Sequence, residues 1–250
     1  MTGEHPPTPL RRRVEEASLN AWPALQQMLL DGWVVRFSGG FTKRANSVIP
    51  LYPALQEPLD KIRYCERLYE QQQLKTIFRL TTVDDFSELD AQLDARGYQR
   101  IDPTRVLHRI IANPPQPDPG FIEVPLREWL NVYSDLAEMP RPTQALHSAL
   151  LKGIRSLCIY GVQYADHQPV ACGLAVVERE LTGLFDVVTH PQRRRLGHAG
   201  ALVSSLLGAG AQAGATHAYL QVEENNAPAR AMYQALGFTD LYHYWYRAAP

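Results

Sequence analysis

The sequence predicts a mixed α/β protein whose central sheet is mostly antiparallel, flanked by helices, and laid down twice along one chain. Three observations carry that expectation. Downstream of residue 120, β-branched and apolar runs of strand length alternate with longer helical patterns. A shift of 140 residues brings the first part of the chain into step with the second without a gap: Gly97-Tyr98 falls on Gly237-Phe238, and Ile77 to Leu80 falls on His217 to Leu220. Between the parts, residues 113–120 hold four prolines and a glycine, which excludes both a helix and a central strand.

Each element follows in order. Residues 1–19 are proline-rich and charged and read as an N-terminal tail. The first copy spans 20–112, where the apolar run Trp33–Phe37 falls on 173–177 and a helix over 59–73 falls on 199–213. Residues 113–120 form the linker, and the second copy spans 121–250. There, helical spacing over 126–137 and 143–154 is interrupted by Pro140 and Pro142. Strands over 156–164, 170–177 and 182–189, joined by short polar turns, make an antiparallel meander. A small-residue helix over 200–213, a strand over 217–222, a helix over 227–236 stopped by Gly237, and an aromatic strand over 240–247 complete the copy.

Composition narrows the function classes. The 250 residues are 45% apolar and 20% charged, which is ordinary for a globular chain. The net charge of -1 argues against nucleic acid as partner, because a duplex binder carries a basic excess. No apolar stretch reaches the ~18 residues of a membrane span, so no membrane association is expected and the cytoplasm is the expected compartment. Cys65, Cys158 and Cys172 are odd in number and lack ligand-like spacing, so they read as buried reduced thiols, and no metal is expected.

The chemistry concentrates after the strand that ends Val187-Val188-Thr189. There Arg194-Arg195-Leu196-Gly197-His198-Ala199-Gly200 leads into a helix, a short basic loop whose free backbone N–H groups and positive helix end suit a phosphate. Gly197 lets an anion approach the backbone closely, and Ala199 is the next smallest choice at a tight spot. Arg193, Arg194 and Arg195 add cations, although an arginine run is more often a solvated turn. Asn226 is an N-cap candidate for the helix that follows.

Residues 121–250 resemble the GNAT family of N-acetyltransferases. The run from Pro191 to Ala199 fits the family's acetyl-CoA motif Q/R-x-x-G-x-G/A, with Ala199 at its last position. Asn226, Ala229 and Tyr233 fit its N-x-x-A-x-x-x-Y element, and Leu236-Gly237-Phe238 fits the L-G-F that follows. The resemblance implies the acyl-CoA N-acyltransferase fold, acetyl-CoA as cosubstrate, and a primary amine of a small molecule or polypeptide as acceptor. It further implies that Val187, Val188 and Thr189 offer unpaired main-chain groups to the pantetheine arm and the acetyl carbonyl, and that Asn226 lies near the cofactor. Tyr233 is the expected general acid for the leaving thiolate. Asp186 is the leading candidate for the base, with Glu178 and Glu223 as alternatives and His198 and His217 as further titratable groups.

Under the 140-residue shift, Arg194, Gly197, Ala199 and Tyr233 correspond to Ala54, Glu57, Leu59 and Leu93. The first copy therefore reads as a degenerate domain without a phosphate site, which implies one CoA per chain, and its polar stretch 38–47 either faces the acceptor cleft or is a surface hairpin tip. A CoA-binding sensor without turnover is the competing reading, and both a monomer and a homodimer are open.

Overall fold

The structure, a computed structural model, describes residues 8–250. The first half runs α1 (Thr8–Ala21), β1 (Gln26–Leu30), β2 (Trp33–Phe37), β3 (Val48–Pro50), α2 (Pro58–Gln71), β4 (Ile77–Thr81), α3 (Ser87–Ala95) and β5 (Gln99–Ile110). The second runs β6 (Phe121–Glu123), α4 (Leu126–Leu136), α5 (Arg141–Lys152), β7 (Leu157–Ala165), β8 (Gln168–Glu178), β9 (Leu181–Thr189), α6 (His198–Gln212), β10 (His217–Glu223), α7 (Ala227–Ala235) and β11 (Thr239–Ala248). With helices on both sides of a mostly antiparallel sheet, this is the fold class expected, and the 140-residue shift lands α2 on α6, β4 on β10 and α3 on α7 at their first residues. Gly97 and Gly237, which close α3 and α7, both take the left-handed conformation (φ 82° and 79°) that glycine adopts without a Cβ penalty.

The eleven strands of the described residues join one sheet in the order β1-β2-β3-β4-β11-β5-β10-β9-β8-β7-β6. The last strand of each half has crossed over: β5 pairs with β10, β11 pairs with β4, and β5 and β11 pair with each other, all antiparallel. Sequence periodicity predicts strands but not partners, so this exchange is not visible in the 140-residue shift.

The expected tail 1–19 is corrected in part, because a helix begins at Thr8. Its residues Val14, Ala17 and Ala21 recur at helical spacing and are buried, and α1 packs against β9. Buried Glu15 of α1 receives both guanidinium nitrogens of Arg79 on β4 and, at 2.5 Å, the hydroxyl of Tyr242 on β11. Arg79 is fully enclosed and also lies 3.9 Å from the Tyr244 ring centroid. Removing either charged partner would strand a buried charge, so α1 is fixed to β4 by the ion pair and to the exchanged β11 by the Tyr242 hydroxyl.

Two cores cover the sheet of the second half. Trp129, Leu150, Cys172, Leu174, Phe185 and Tyr219 pack on the face of α1, α4 and α5. Leu184, Leu202, Leu206, Ala218, Leu220 and Tyr233 pack on the face of α6 and α7. The small residues of α6 let the linker pass close: Ser205 Oγ accepts from Asp118 N at 2.9 Å, and a Cβ on Gly208 would stand 2.3 Å from the Pro115 carbonyl oxygen. The cysteines are free thiols; Cys65 and Cys172 are buried as expected, Cys158 is only half-buried, and burial pushes Cys65 up to about 12.

At the crossing of β5 and β10, His108 Nε2 lies 2.9 Å from His217 Nδ1 with the rings stacked. Burial and the facing His217 push His108 down from 6.5 to about 4, and His217 is also lowered by burial. The folded state therefore binds fewer protons than the unfolded chain below the ordinary histidine value, so this stability is present above it and lost as pH falls from about 6.5 toward about 4. Melting temperatures measured across that window should fall, and His108→Gln should flatten the fall. A variant with the same pH slope as the parent would show that the pair does not carry the effect.

Candidate active site where two strands part

β9 and β10 pair in parallel from His217↔Leu181 to Leu220↔Leu184 and then separate. The cause lies one strand away: between Cys172↔Val188 and Leu174↔Phe185, Asp186 and Val187 oppose Gly173 alone. This bulge puts Asp186 at φ 51° and frees the Gly173 carbonyl, which accepts from Trp129 Nε1 at 3.1 Å. From the bulge onward, Asp186, Val187, Val188 and Thr189 are only half buried, whereas the five residues before it are buried. Val187 packs toward the α6/α7 face and Val188 toward the opposite one.

The loop after β9 brings the expected anion-binding groups together at its mouth. Gly197 caps α6 in the left-handed conformation (φ 84°), and Arg195 takes φ 63°. The helix is ordered from His198, so the N–H groups of His198, Ala199 and Gly200 lack intrahelical partners and face outward with the positive end of the dipole. Arg194, Arg195, Leu196 and Gly197 are exposed, and a Cβ on Gly197 or Gly200 would meet nothing within 4 Å. Asn226 caps α7, its Oδ1 accepting from Ala229 N at 3.2 Å. Tyr233, on the same α7, is buried edge-on against Phe238, and burial pushes its phenol up to about 12. It stays protonated at neutral pH.

Asp186 approaches the gap from the other face. Its Oδ2 lies 2.7 Å from Nε2 of buried His147 on α5, and its Oδ1 accepts from the Tyr133 hydroxyl at 3.4 Å. Burial and the adjacent Asp186 carboxylate push the Tyr133 phenol well up. His147 stands among Trp22, Phe41, Trp129 and Tyr133, and its Nδ1 is buried without a hydrogen-bond partner among the described residues. Neither His147 nor Tyr133 stands out in the sequence, since a lone histidine or tyrosine on an amphipathic helix reads as core. Glu223 is exposed at the end of β10, on the same face as Gln221. Glu178 and His217 pair or align with Leu181 at the opposite end of β9 and do not join the group. Glu178 instead accepts from Asn20 Nδ2 at 3.1 Å.

A cleft of about 230 Å³ on the Asp186 face is lined by Thr42, Lys43, Arg44, Gln221, Glu223 and Tyr244. Thr42, Lys43 and Arg44 of the polar stretch 38–47 thus line this cleft. At the position in the first half that corresponds to the Gly197 loop, a cleft is lined instead by Asp84, Asp85 and Glu88, together with Ala54 and Pro58.

A parallel strand pair that opens beside a glycine-capped helix is the architecture of an acyl-CoA N-acyltransferase. The sequence profile described as "Probable histone acetyltransferase Rv0428c C-terminal" matches residues 8–247, and the chain belongs to this family of GNAT N-acetyltransferases. An uncharacterized N-acetyltransferase, YobR of Bacillus subtilis, is 23% identical over 244 residues, covering 94% of this chain and 97% of that protein. The probable histone acetyltransferase Rv0428c of Mycobacterium tuberculosis is 26% identical over 239 residues, covering 95% of this chain and 74% of that protein. A GCN5-related N-acetyltransferase from Kribbella flavida has the same fold with a TM-score of 0.74 at 15% identity, covering 96% of this chain and 95% of that one. Among the described residues, no helix is long and apolar enough to cross a membrane.

Because a Cβ at Gly197 meets open space, Gly197→Ala should cost only the left-handed backbone preference, about 1 kcal/mol. Urea unfolding checks this. A loss of roughly 3 kcal/mol or more would mean that a steric clash, not φ, demands glycine there.

Proposed function

We propose that the second half binds acetyl-CoA across the parted end of β9 and transfers its acetyl group to a primary amine arriving from the opposite face. One observation carries the reading: α6, capped by Gly197, and Tyr233 of α7 lie on one face of the sheet, and Asp186 and the cleft lie on the other. In this scheme the N–H groups of Gly197 to Gly200, with Arg194 and Arg195, hold the pyrophosphate, and open space over both glycines accommodates it. Val187, Val188 and Thr189 hold the pantetheine arm through main-chain groups left unpaired beyond Leu184. Asn226 and Ala229 line the opposite side of the arm.

The amine nitrogen attacks the thioester carbon, and the Val188 N–H stabilises the charge that develops on the carbonyl oxygen. Asp186, fixed by His147 and Tyr133, takes the amine proton directly or through water. As the carbon–sulfur bond breaks, Tyr233 protonates the departing thiolate. The first half, 20–112, is a degenerate copy in this reading. Glu57 and the carboxylates of its corresponding cleft repel a phosphate, and its loop 38–47 walls the acceptor cleft.

Thiol release measured with a panel of amines tests the scheme. Tyr233→Phe and Asp186→Asn should each lower kcat by about 100-fold, the scale of one positioned acid or base. The dissociation constant for CoA should stay within about threefold of the parent. An unchanged kcat in Tyr233→Phe would remove the acid from the scheme, and CoA binding without release toward any amine would leave a sensor.

A further inference from the structure

We infer that the acceptor is a small primary amine that carries a carboxylate, and that Arg44 of the first half recognises that carboxylate. The inference rests on the acetyl-transfer reading and names the substrate class of the same site.

Arg44 enters the cleft from the loop between β2 and β3. Its guanidinium lies 5.2 Å from the Trp22 ring centroid and 5.9 Å from that of Phe185, the residue next to Asp186. The two rings engage the guanidinium through cation–π contact, which leaves its N–H groups available for in-plane hydrogen bonds. No carboxylate is paired with Arg44 among the described residues, whereas its neighbour Lys43 is held by Asp102 at 2.6 Å. A half-buried guanidinium without a counter-ion in a cleft is a site for an anion, and its planar fork matches a carboxylate.

The loop is built to hold Arg44 in place. Buried Asn46 closes it with four hydrogen bonds: its Oδ1 accepts from Ser38 N at 2.7 Å and Gly40 N at 2.9 Å, and its Nδ2 donates to the Phe41 and Thr42 carbonyls at 2.7 and 2.9 Å. Thr42 is held at φ 56°, strained for a β-branched residue, while its hydroxyl accepts from Trp22 Nε1 at 3.1 Å. Buried Arg36 donates to the Arg44 carbonyl at 3.0 Å. This much ordering of a polar loop exceeds what a surface turn needs.

The same cleft presents a carboxylate without an ion-pair partner among the described residues, Glu223, which suits the incoming ammonium before it is deprotonated. One free cation and one free anion in about 230 Å³ describe a small zwitterion better than a lysine-rich polypeptide.

The experiment compares ω-amino carboxylates of two to five carbons with their neutral amides as acceptors, in the full-length protein with saturating acetyl-CoA and thiol release as readout. At least one acid should exceed its amide in kcat/KM by about 10- to 100-fold, the scale of a charge-assisted hydrogen bond. Arg44→Gln should collapse that ratio to near one, and Arg44→Lys should restore part of it. The comparison of acid with amide in the parent protein needs no variant, so a misfolded variant does not void it. Equal rates for acids and amides, or preference for a lysine-rich peptide over every acid, would overturn the inference while leaving acetyl transfer intact. No release with any amine would instead overturn the proposed reaction.

Discussion

The two long strands at the centre of the sheet, β5 and β11, are bonded to each other and, on their outer edges, to the opposite halves of the chain. Everything else depends on this crossing. A half deprived of its partner would expose the long edge of β4 or β10, whose backbone groups would lose their ladder. The exchange makes one sheet of two similar folding units. It also sets α1 under β11 through Glu15, Arg79 and Tyr242, and carries the loop of the first half over the parted strands of the second.

The parting of β9 from β10 is a local consequence of one extra residue. With Asp186 and Val187 set against Gly173, the strand turns Phe185 and Asp186 to the same face, and alternation resumes with Val187 on the other. The same irregularity thus opens the sheet and supplies the α4/α5 face with its carboxylate. In the first half β3 and β4 pair only at Val48↔Phe78, so an opening is kept there too, but Glu57 and Pro58 stand at the helix start where Gly197 and His198 stand in the second. One opening faces free N–H groups and arginines, and the other faces acids.

Much of this was legible from residue order. The 140-residue shift places helices and strands because each copy keeps its own hydrophobic period, and the Gly197 loop, the Asn226 cap and the Tyr233 position are local motifs. Three features were not legible for physical reasons. Strand exchange concerns which edge a strand meets, and its period is the same on either edge. The helix over Thr8–Ala21 hides its apolar stripe behind Arg11, Arg12 and Arg13, with small residues Ala17 and Ala21 doing the packing. His147 and Arg44 reach the site from elements distant in sequence, one on α5 and one in the other half.

The central claim is that a single chain holds one functional acetyl-CoA site, at the parted strands of its second half. Calorimetric titration of the full-length protein with acetyl-CoA tests it most directly. The account predicts one equivalent bound per chain, with binding lost when Gly197 is replaced by the bulky, β-branched valine. Two equivalents per chain, or one equivalent that survives Gly197→Val undiminished, would contradict it.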